Sequence, residues 1–268
     1  MRALFHSTNL IGDALNISPA LQAWYNEHRE DWDIDFESMQ DQVAELYPRM
    51  GVPLQMVKTQ PPGDYHALYD FEFTFDVGKA FSLGEEHGCH IAEAYGVMLD
   101  VEVQTLKPTY IPWDEDHEKD LILISPFSRS CAVHTTGVPN KTIPDLKLFP
   151  VIEYLRTLGK IGVLGGPDDR SPLPISEDEY YTGLPLNKVA LMMRDAKLLV
   201  TIDNGMAHLG ASQEVPEIVL YPACLSQTWI APVGNPNLRI MQMDPIKVAS
   251  GLLLRQVKKF AFELMKPQ

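Results

Sequence analysis

The residues best suited to chemistry lie in the stretch LVTIDNGMAHLGAS, residues 199–212. A β-branched apolar run ends there at Asp203, and a helix of small residues follows from Gly205. The backbone N–H groups of residues 205–207 fall in the first helical turn, where they have no acceptors within the helix. They are therefore candidates for binding an anion such as phosphate. Alternatively, Asp203 or Asn204 only caps the helix.

A second carboxylate stands at a strand-to-helix junction near the N-terminus, in the segment NLIGDALNISPAL. Asp13, preceded by Gly12, follows the first predicted strand and its loop, so it would face a cleft between two domains. There it could act as a general base that removes a proton from a substrate. A helix N-cap fits the same place, and the residues by themselves favour the cap.

Two further loops carry candidate residues. The loop SPFSRSCAVHTTGVPNKTIP is long for a strand-to-helix connection and contains Ser128 and Lys141. Lys141 immediately precedes a predicted helix, where it could pair with a phosphate or stabilise a leaving group. In LGGPDD, Asp168 or Asp169 could accept a hydrogen bond from a ribose hydroxyl, although the paired glycines also fit a plain turn.

The remaining histidines do not indicate a metal site. His208 lies one turn into its helix and is more often structural than catalytic. His87 and His90 are close in sequence, but no further ligand spacing supports a metal centre. We also find no GxGxxG and no P-loop motif, so any nucleotide would be held by the strand-to-helix turns described above.

Composition restricts the class of protein. The 268 residues carry 22 basic and 36 acidic side chains, a net charge of −14, which argues against nucleic acid and allows at most peripheral contact with an anionic membrane. The three cysteines indicate free thiols in a reducing compartment. Without a signal peptide or a membrane-spanning run, the sequence predicts a cytoplasmic protein.

Strands alternate with helices, which predicts an α/β fold with parallel sheets. A segment rich in proline and acidic residues interrupts the pattern near Pro112. We place the domain boundary there, giving an N-terminal domain of residues 1–112 and a C-terminal domain of residues 113–268. Both should be doubly wound, with ligands at the carboxyl ends of the strands. The last predicted helix either packs on the protein, with the N-terminal domain as one packing surface open to it, or touches lipid through Arg255, Lys258 and Lys259.

Taken in order, these motifs resemble the ADP-heptose–lipopolysaccharide heptosyltransferase family, glycosyltransferase family 9. The resemblance covers nearly the whole chain. Its most specific part is the final motif, Asp-(Thr/Ser)-Gly-x-x-His-Leu. The matching segments are Gly12-Asp13 with Pro19-Ala20-Leu21, Lys141-Thr142-Ile143-Pro144, Gly165-Gly166-Pro167-Asp168, Thr182-Gly183-Leu184 and Asp203-Asn204-Gly205-Met206-Ala207-His208-Leu209.

The resemblance implies two Rossmann-like domains facing a cleft, the GT-B glycosyltransferase fold, and a metal-independent, inverting transfer of a heptose-like sugar. The substrates would be a nucleotide-diphosphate sugar and a glycan or lipid-linked glycan acceptor of the lipopolysaccharide type, with no cofactor. Asp13 looks like the base, with Gly12 beside it on the acceptor side. Lys141 resembles the residue that reaches the phosphate or the sugar of the donor. The remaining donor-binding residues would be Ser128, Asp168, Asp203, Asn204, Gly205, Met206, Ala207 and His208.

Three positions depart from the family pattern. Asn204 replaces a hydroxyl residue, Ile143 replaces an aromatic residue, and an aspartate replaces the longer acid after Gly166. Two alternatives therefore stay open beside the transferase: a non-catalytic protein that binds sugar nucleotides, and a nucleotide-sugar epimerase or hydrolase on the same scaffold.

Overall fold

The computed structural model describes most of the chain in two compact units. The described residues are 1–7, 10–28, 32–38, 41–57, 69–127, 142–167, 169, 176, 179–221, 231–243 and 247–266, without the side chains of residues 41 and 42. The units divide between Ile111 and Pro112, and residues 231–234 return to the first unit. Ser128, Lys141 and Asp168 lie outside the described residues.

The first unit is built on a four-stranded parallel sheet in the order β3-β2-β1-β4. Its elements are β1 (Arg2–Ser7), α1 (Ile11–His28), β2 (Asp33–Ser38), a 3-10 helix (Asp41–Arg49), β3 (Gln55–Met56), β4 (Phe71–Phe75), α2 (Val77–His87) and α3 (Ile91–Leu99).

An aromatic layer forms the core of this unit. Phe5 of β1 pairs in register with Phe36 and Phe73, which places the three rings on one face of the sheet. Trp24 of α1 meets the Phe5 ring edge-on at 5.0 Å, and Tyr47 of the 3-10 helix stacks on Phe36 at 4.0 Å. The opposite face is mostly polar.

The second unit has a six-stranded parallel sheet in the order β10-β9-β8-β5-β6-β7. Its elements are β5 (Ile122–Ser125), α4 (Asp145–Arg156), β6 (Ile161–Gly165), β7 (Tyr180–Thr182), α5 (Leu186–Arg194), β8 (Leu198–Ile202), α6 (Gly205–Ser212), β9 (Glu217–Tyr221), β10 (Leu238–Gln242) and α7 (Ser250–Leu264).

The last helix belongs to the core of the second unit. Leu253, Val257 and Ala261 of α7 are buried in the same apolar cluster as the central strands and α4. Their spacing of four residues places them on one helix face. The helix for which the sequence allowed packing on the N-terminal domain thus buries this face in its own unit.

The segment 231–234 is held closely by the first unit. The Nε2 atom of His90 donates to the carbonyl of Ala231 at 2.9 Å. A Cβ atom on Gly234 would lie 2.3 Å from the Cα atom of Lys107, so only glycine fits there. Asn235, the next residue, belongs to the second unit, where its side chain donates to the Val215 carbonyl at 2.9 Å.

The structure corrects three expectations about local elements. Helix α1 begins at Ile11, so Gly12 and Asp13 lie in its first turn rather than in a preceding loop. The segment FEFTF forms β4, which the sequence reading missed. The segment FSLGEEHGCHIAEAYGVML, residues 81–99, which the sequence predicts to be helical, is divided between α2 and α3, because Gly88 adopts a left-handed φ of 64° and His90 starts α3 as its N-cap.

The predicted α/β class with parallel sheets in two Rossmann-like units is confirmed. Among the helices that the structure describes, none is long and apolar enough to cross a membrane.

Candidate functional site

The carboxyl edge of the second sheet has its topological switch between β5 and β8. From β5 the chain proceeds outward to β6 and β7, and it then returns to the other side as β8, β9 and β10. Doubly wound sheets bind ligands where the strand order reverses in this way. The residues that follow β5 and β8 therefore define the candidate site of this unit.

Asn204 joins the two strands at this switch. Its side-chain amide donates to the Phe127 carbonyl at 2.9 Å and to the Ser125 hydroxyl at 3.1 Å, both at the end of β5. Its Oδ1 atom accepts from the hydroxyl of Thr201, the fourth residue of β8, at 3.2 Å. Asn204 thus accepts and donates hydrogen bonds between the ends of β5 and β8.

The same oxygen caps α6. Oδ1 of Asn204 accepts from the N–H of Met206 at 2.9 Å and from that of Ala207 at 3.3 Å. The capping alternative is therefore correct for Asn204. In this conformation two of the three N–H groups proposed to cradle an anion already have an acceptor, and the N–H of Gly205 is the remaining member of the set.

Asp203 and His208 are buried beside this turn, each with 4% of its surface exposed. The backbone N–H of Asp203 donates to the Leu220 carbonyl at 3.0 Å, which continues the pairing of β8 with β9 past the end of the strand. The predicted role of Asp203 in donor binding stays a prediction. The burial of His208 agrees with the structural role favoured for it.

The end of β6 forms a tight turn. Asp169 accepts from the Gly166 N–H at 2.7 Å, and its own N–H donates back to the Gly166 carbonyl at 3.1 Å. This pair of bonds is the turn reading of LGGPDD. The neighbouring Asp168, like Ser128 and Lys141, is outside the described residues, so its predicted contact with the donor stays a prediction.

The first unit presents Asp13 at the equivalent edge of its own sheet. The Leu10 carbonyl accepts from the Ala14 N–H at 2.8 Å, so Leu10 takes the N-cap place and the capping alternative for Asp13 is wrong. As the third residue of α1, Asp13 follows β1, and β1 lies beside β4 where the strand order of this sheet reverses.

Tyr47 is a neighbour of Asp13 that sequence reasoning missed. Burial raises the pKa of Tyr47 to about 12; the Ser7 and Ser38 hydroxyls act against the shift, and the charge of Asp13 adds to it. Ser7 and Ser38 are partners in register at the carboxyl ends of β1 and β2. Three hydroxyl groups therefore surround the edge at which Asp13 stands. The only signal in the sequence was two serines, each ending a predicted strand.

The structure gives no support for a metal site within its described residues, where no group of three potential ligands is found. His90 is engaged on both ring nitrogens: Nε2 donates to Ala231, and Nδ1 accepts from the Ala92 N–H at 3.2 Å. Burial lowers the pKa of His90, which keeps the ring neutral as this bonding requires.

Comparison with known proteins identifies the fold. No protein-family model and no curated protein matches the sequence. Among solved structures, the chain is similar to a glycosyl transferase family 9 protein from Veillonella parvula, at 14% identity and a TM-score of 0.73 over 98% of this chain and 97% of that one.

Two Escherichia coli structures give the same result. ADP-heptose lps heptosyltransferase II matches at 13% identity and a TM-score of 0.72, over 98% of this chain and 99% of its own. Heptosyltransferase WaaC with ADP matches at 14% identity and a TM-score of 0.64, over the full length of both chains. The predicted resemblance is thus confirmed in the fold: the chain has the two-unit α/β architecture of glycosyltransferase family 9 structures.

Proposed function

We propose that the chain is a glycosyltransferase that moves a heptose-like sugar from a nucleotide-diphosphate sugar to a glycan or lipopolysaccharide-type acceptor. The observation that carries the proposal is the fold match, which extends over nearly the full length of both this chain and the heptosyltransferases. A likeness confined to one unit would have supported only a nucleotide-binding domain.

The donor would bind at the switch between β5 and β8. One of the similar structures is that of heptosyltransferase WaaC with ADP, so ADP is the first nucleotide to test. Asn204, which touches the ends of both strands, and the N–H of Gly205 are the described groups nearest to this role. Lys141 would supply the cation that stabilises the departing nucleoside diphosphate.

The acceptor would be activated by Asp13. In the proposed step, the Asp13 carboxylate takes the proton of an acceptor hydroxyl, and the oxygen attacks the anomeric carbon of the donor. The bond between that carbon and the diphosphate oxygen breaks, its electron pair leaves with the diphosphate, and the configuration is inverted. No step needs a metal or a cofactor.

Nucleotide binding tests the donor half of this proposal. Calorimetry with ADP, UDP and GDP should show binding of at least one nucleotide, unchanged when a chelator is added. Lys141→Ala should weaken it about ten- to a hundredfold, the effect of losing one charged hydrogen bond. Absence of binding to all three, or binding that a chelator abolishes, would contradict a metal-free donor site.

The substitution Asp13→Asn tests the chemical step. Asparagine retains the shape but cannot take a proton, so the transfer rate should fall about 10²–10⁴-fold while nucleotide affinity is unchanged. The matched control is Asp33→Asn, an exposed acid at the opposite end of the same sheet. A normal rate in Asp13→Asn would remove Asp13 from the mechanism.

The same assays separate the alternatives. Nucleotide binding without turnover of any sugar donor would favour a non-catalytic binding protein. Consumption of the donor without an acceptor would favour a hydrolase or epimerase. Turnover that requires the acceptor supports the transferase.

A further inference from the structure

The outward face of α7 carries a regular stripe of basic and apolar side chains. Leu252, Arg255, Lys259, Phe262 and Lys266 follow one another at spacings of three, four, three and four residues, which places them along one side of the helix and its C-terminal continuation. All five are exposed, with 36% of Leu252 and 65% of Phe262 open to solvent. We call these five residues the outer stripe.

The stripe lies opposite the buried face of the helix, which consists of Leu253, Val257 and Ala261. The charged residues beside the stripe, Lys258 and Glu263, contact other elements of the second unit. Lys258 extends over the Tyr154 ring of α4 at 5.0 Å, and Glu263 pairs with Arg239 of β10 at 3.4 Å. The outer stripe is therefore the solvent-exposed face of a helix whose opposite face is packed on the protein.

The cations of the stripe have no acidic partner within the described part of the chain. Arg255 and Lys259 form no ion pair there, and the Lys266 ammonium lies 4.3 Å from the centre of the Phe262 ring. The single acid of the helix, Glu263, is the one matched by Arg239. The positive charge of the stripe is thus available to an external anion.

This charge contrasts with that of the chain. The whole protein has a net charge of −14, whereas residues 250–266 contain four basic side chains and one acidic side chain. A chain with this acidic excess repels anionic surfaces over most of its own surface. A local reversal on one exposed helix therefore orients the protein when it meets such a surface.

We propose that the outer stripe docks the protein on an anionic lipid surface. Arg255, Lys259 and Lys266 would meet the headgroup phosphates, and Phe262 and Leu252 would enter the boundary between headgroups and acyl chains, as interfacial helices do. The mode is peripheral, because the apolar face that could enter more deeply is buried in the core. This proposal rests on the exposure and charge of α7 and not on the transferase proposal.

The alternation of charge with apolar groups favours lipid over other anionic partners. Binding to nucleic acid requires a wider basic patch than one helix face provides, and the protein has a net charge of −14. Along the stripe, by contrast, an exposed phenylalanine and an exposed leucine are interleaved with the cations. Transfer of these exposed apolar side chains out of water, into the boundary between headgroups and acyl chains, would be favourable.

Vesicle sedimentation of the full chain tests the proposal. The protein should bind vesicles of phosphatidylcholine and phosphatidylglycerol in equal parts and should not bind pure phosphatidylcholine, and salt should weaken the binding. Arg255→Gln with Lys259→Gln should lower the affinity about fivefold for each charge removed. Phe262→Ser should lower it further without changing the salt dependence.

The matched control removes two exposed lysines elsewhere, through Lys79→Gln with Lys197→Gln. Circular dichroism confirms that each variant is folded. Equal binding by the stripe variant and the wild type, or an equal loss in the control, overturns the proposal. So does a stripe variant that alters only self-association in gel filtration or only binding to an oligonucleotide, because the occupant would then be a second copy or a nucleic acid.

Discussion

The two sheets of this chain are both parallel, yet they bury their strands in different ways. Every residue of β8 and β9 is buried, and so is every residue of β5. In β4, by contrast, burial alternates along the strand, and Glu72 and Thr74 are exposed. Parallel sheets are usually covered on both faces. The central strands of the second sheet follow this pattern, whereas β4, at the edge of the first sheet, does not.

The polar face of the first sheet is organised by pairs of side chains. Asp35 accepts from the Arg2 guanidinium at 2.5 Å and from the Tyr69 hydroxyl at 2.8 Å, and His6 pairs with Glu37 at 2.7 Å. Apolar packing on one face and polar pairing on the other therefore both stabilise this sheet. The comparison teaches that a shared parallel architecture does not imply a shared source of stability.

The largest expected effect lies in the second sheet. Leu199 in β8 is fully buried. We expect Leu199→Ala to lower the free energy of unfolding by about 2–5 kcal/mol, because it removes buried methyl groups and leaves a cavity. Urea denaturation followed by circular dichroism measures the change. A loss below about 1 kcal/mol would mean that this sheet is less tightly packed than its burial indicates.

A buried carboxyl group gives the second unit its own pH dependence. Burial raises the pKa of Glu217 well above its ordinary value, with a hydrogen bond from Asn235 acting against the shift. The folded state then retains a proton that the unfolded chain releases above about pH 4.3, so this contribution to stability falls as the pH rises.

Glu217→Gln should therefore flatten the pH dependence of unfolding. We expect the variant to gain stability relative to the wild type as the pH rises above about 4.3, by up to about 1.4 kcal/mol per pH unit. Denaturation curves at several pH values measure the difference, with Glu72→Gln, an exposed acid on the polar face of the first sheet, as the control. Parallel curves for Glu217→Gln and the wild type would contradict the prediction.

A smaller loss is expected on the polar face of the first sheet. Asp35 is 3% exposed and accepts two side-chain hydrogen bonds. Asp35→Asn keeps the shape but removes the charge, so it should cost about 1–2 kcal/mol. The control is Asp33→Asn, an exposed acid in the same strand. Equal costs at the two positions would show that the pairing on this face does not stabilise the sheet.

The smallest effect is expected at Glu72. Its side chain stands on the same polar face but is exposed, and substitutions at such positions usually change stability by less than about 0.5 kcal/mol. Glu72→Gln should therefore leave the urea midpoint at neutral pH unchanged. A clear shift would show that the polar face is more tightly coupled to the rest of the unit than its exposure suggests.

The same contrast explains what the sequence could predict. The continuous apolar run before Asp203 marks a strand that is buried on both faces, and this strand was predicted correctly. The strand FEFTF, equal in length to β8 and β9, was missed because its apolar residues alternate with polar ones instead of forming a continuous apolar run. Local patterns thus locate strands well where burial is complete and less well where it is partial.

At the candidate site, the sequence predicted contacts between residues that are close along the chain but not contacts between residues that are far apart. That a polar residue would cap α6 followed from local rules. That Asn204 would also reach Phe127, 77 residues earlier, depends on β5 and β8 being neighbours in the sheet. The closeness of Asp13 to Tyr47 depends in the same way on how the 3-10 helix packs beside β2.

The close fit of residues 231–234 against the first unit bears on how the protein can be divided for separate expression. A fragment that stops at Ile111 leaves the His90 ring without its carbonyl partner and uncovers the backbone at Lys107, where Gly234 now packs. The complementary fragment, from Pro112 onward, keeps this strip of chain but loses the surface that it covers. A single cut therefore damages both halves, and an intact first unit requires residues 231–234 to be rejoined through a designed linker.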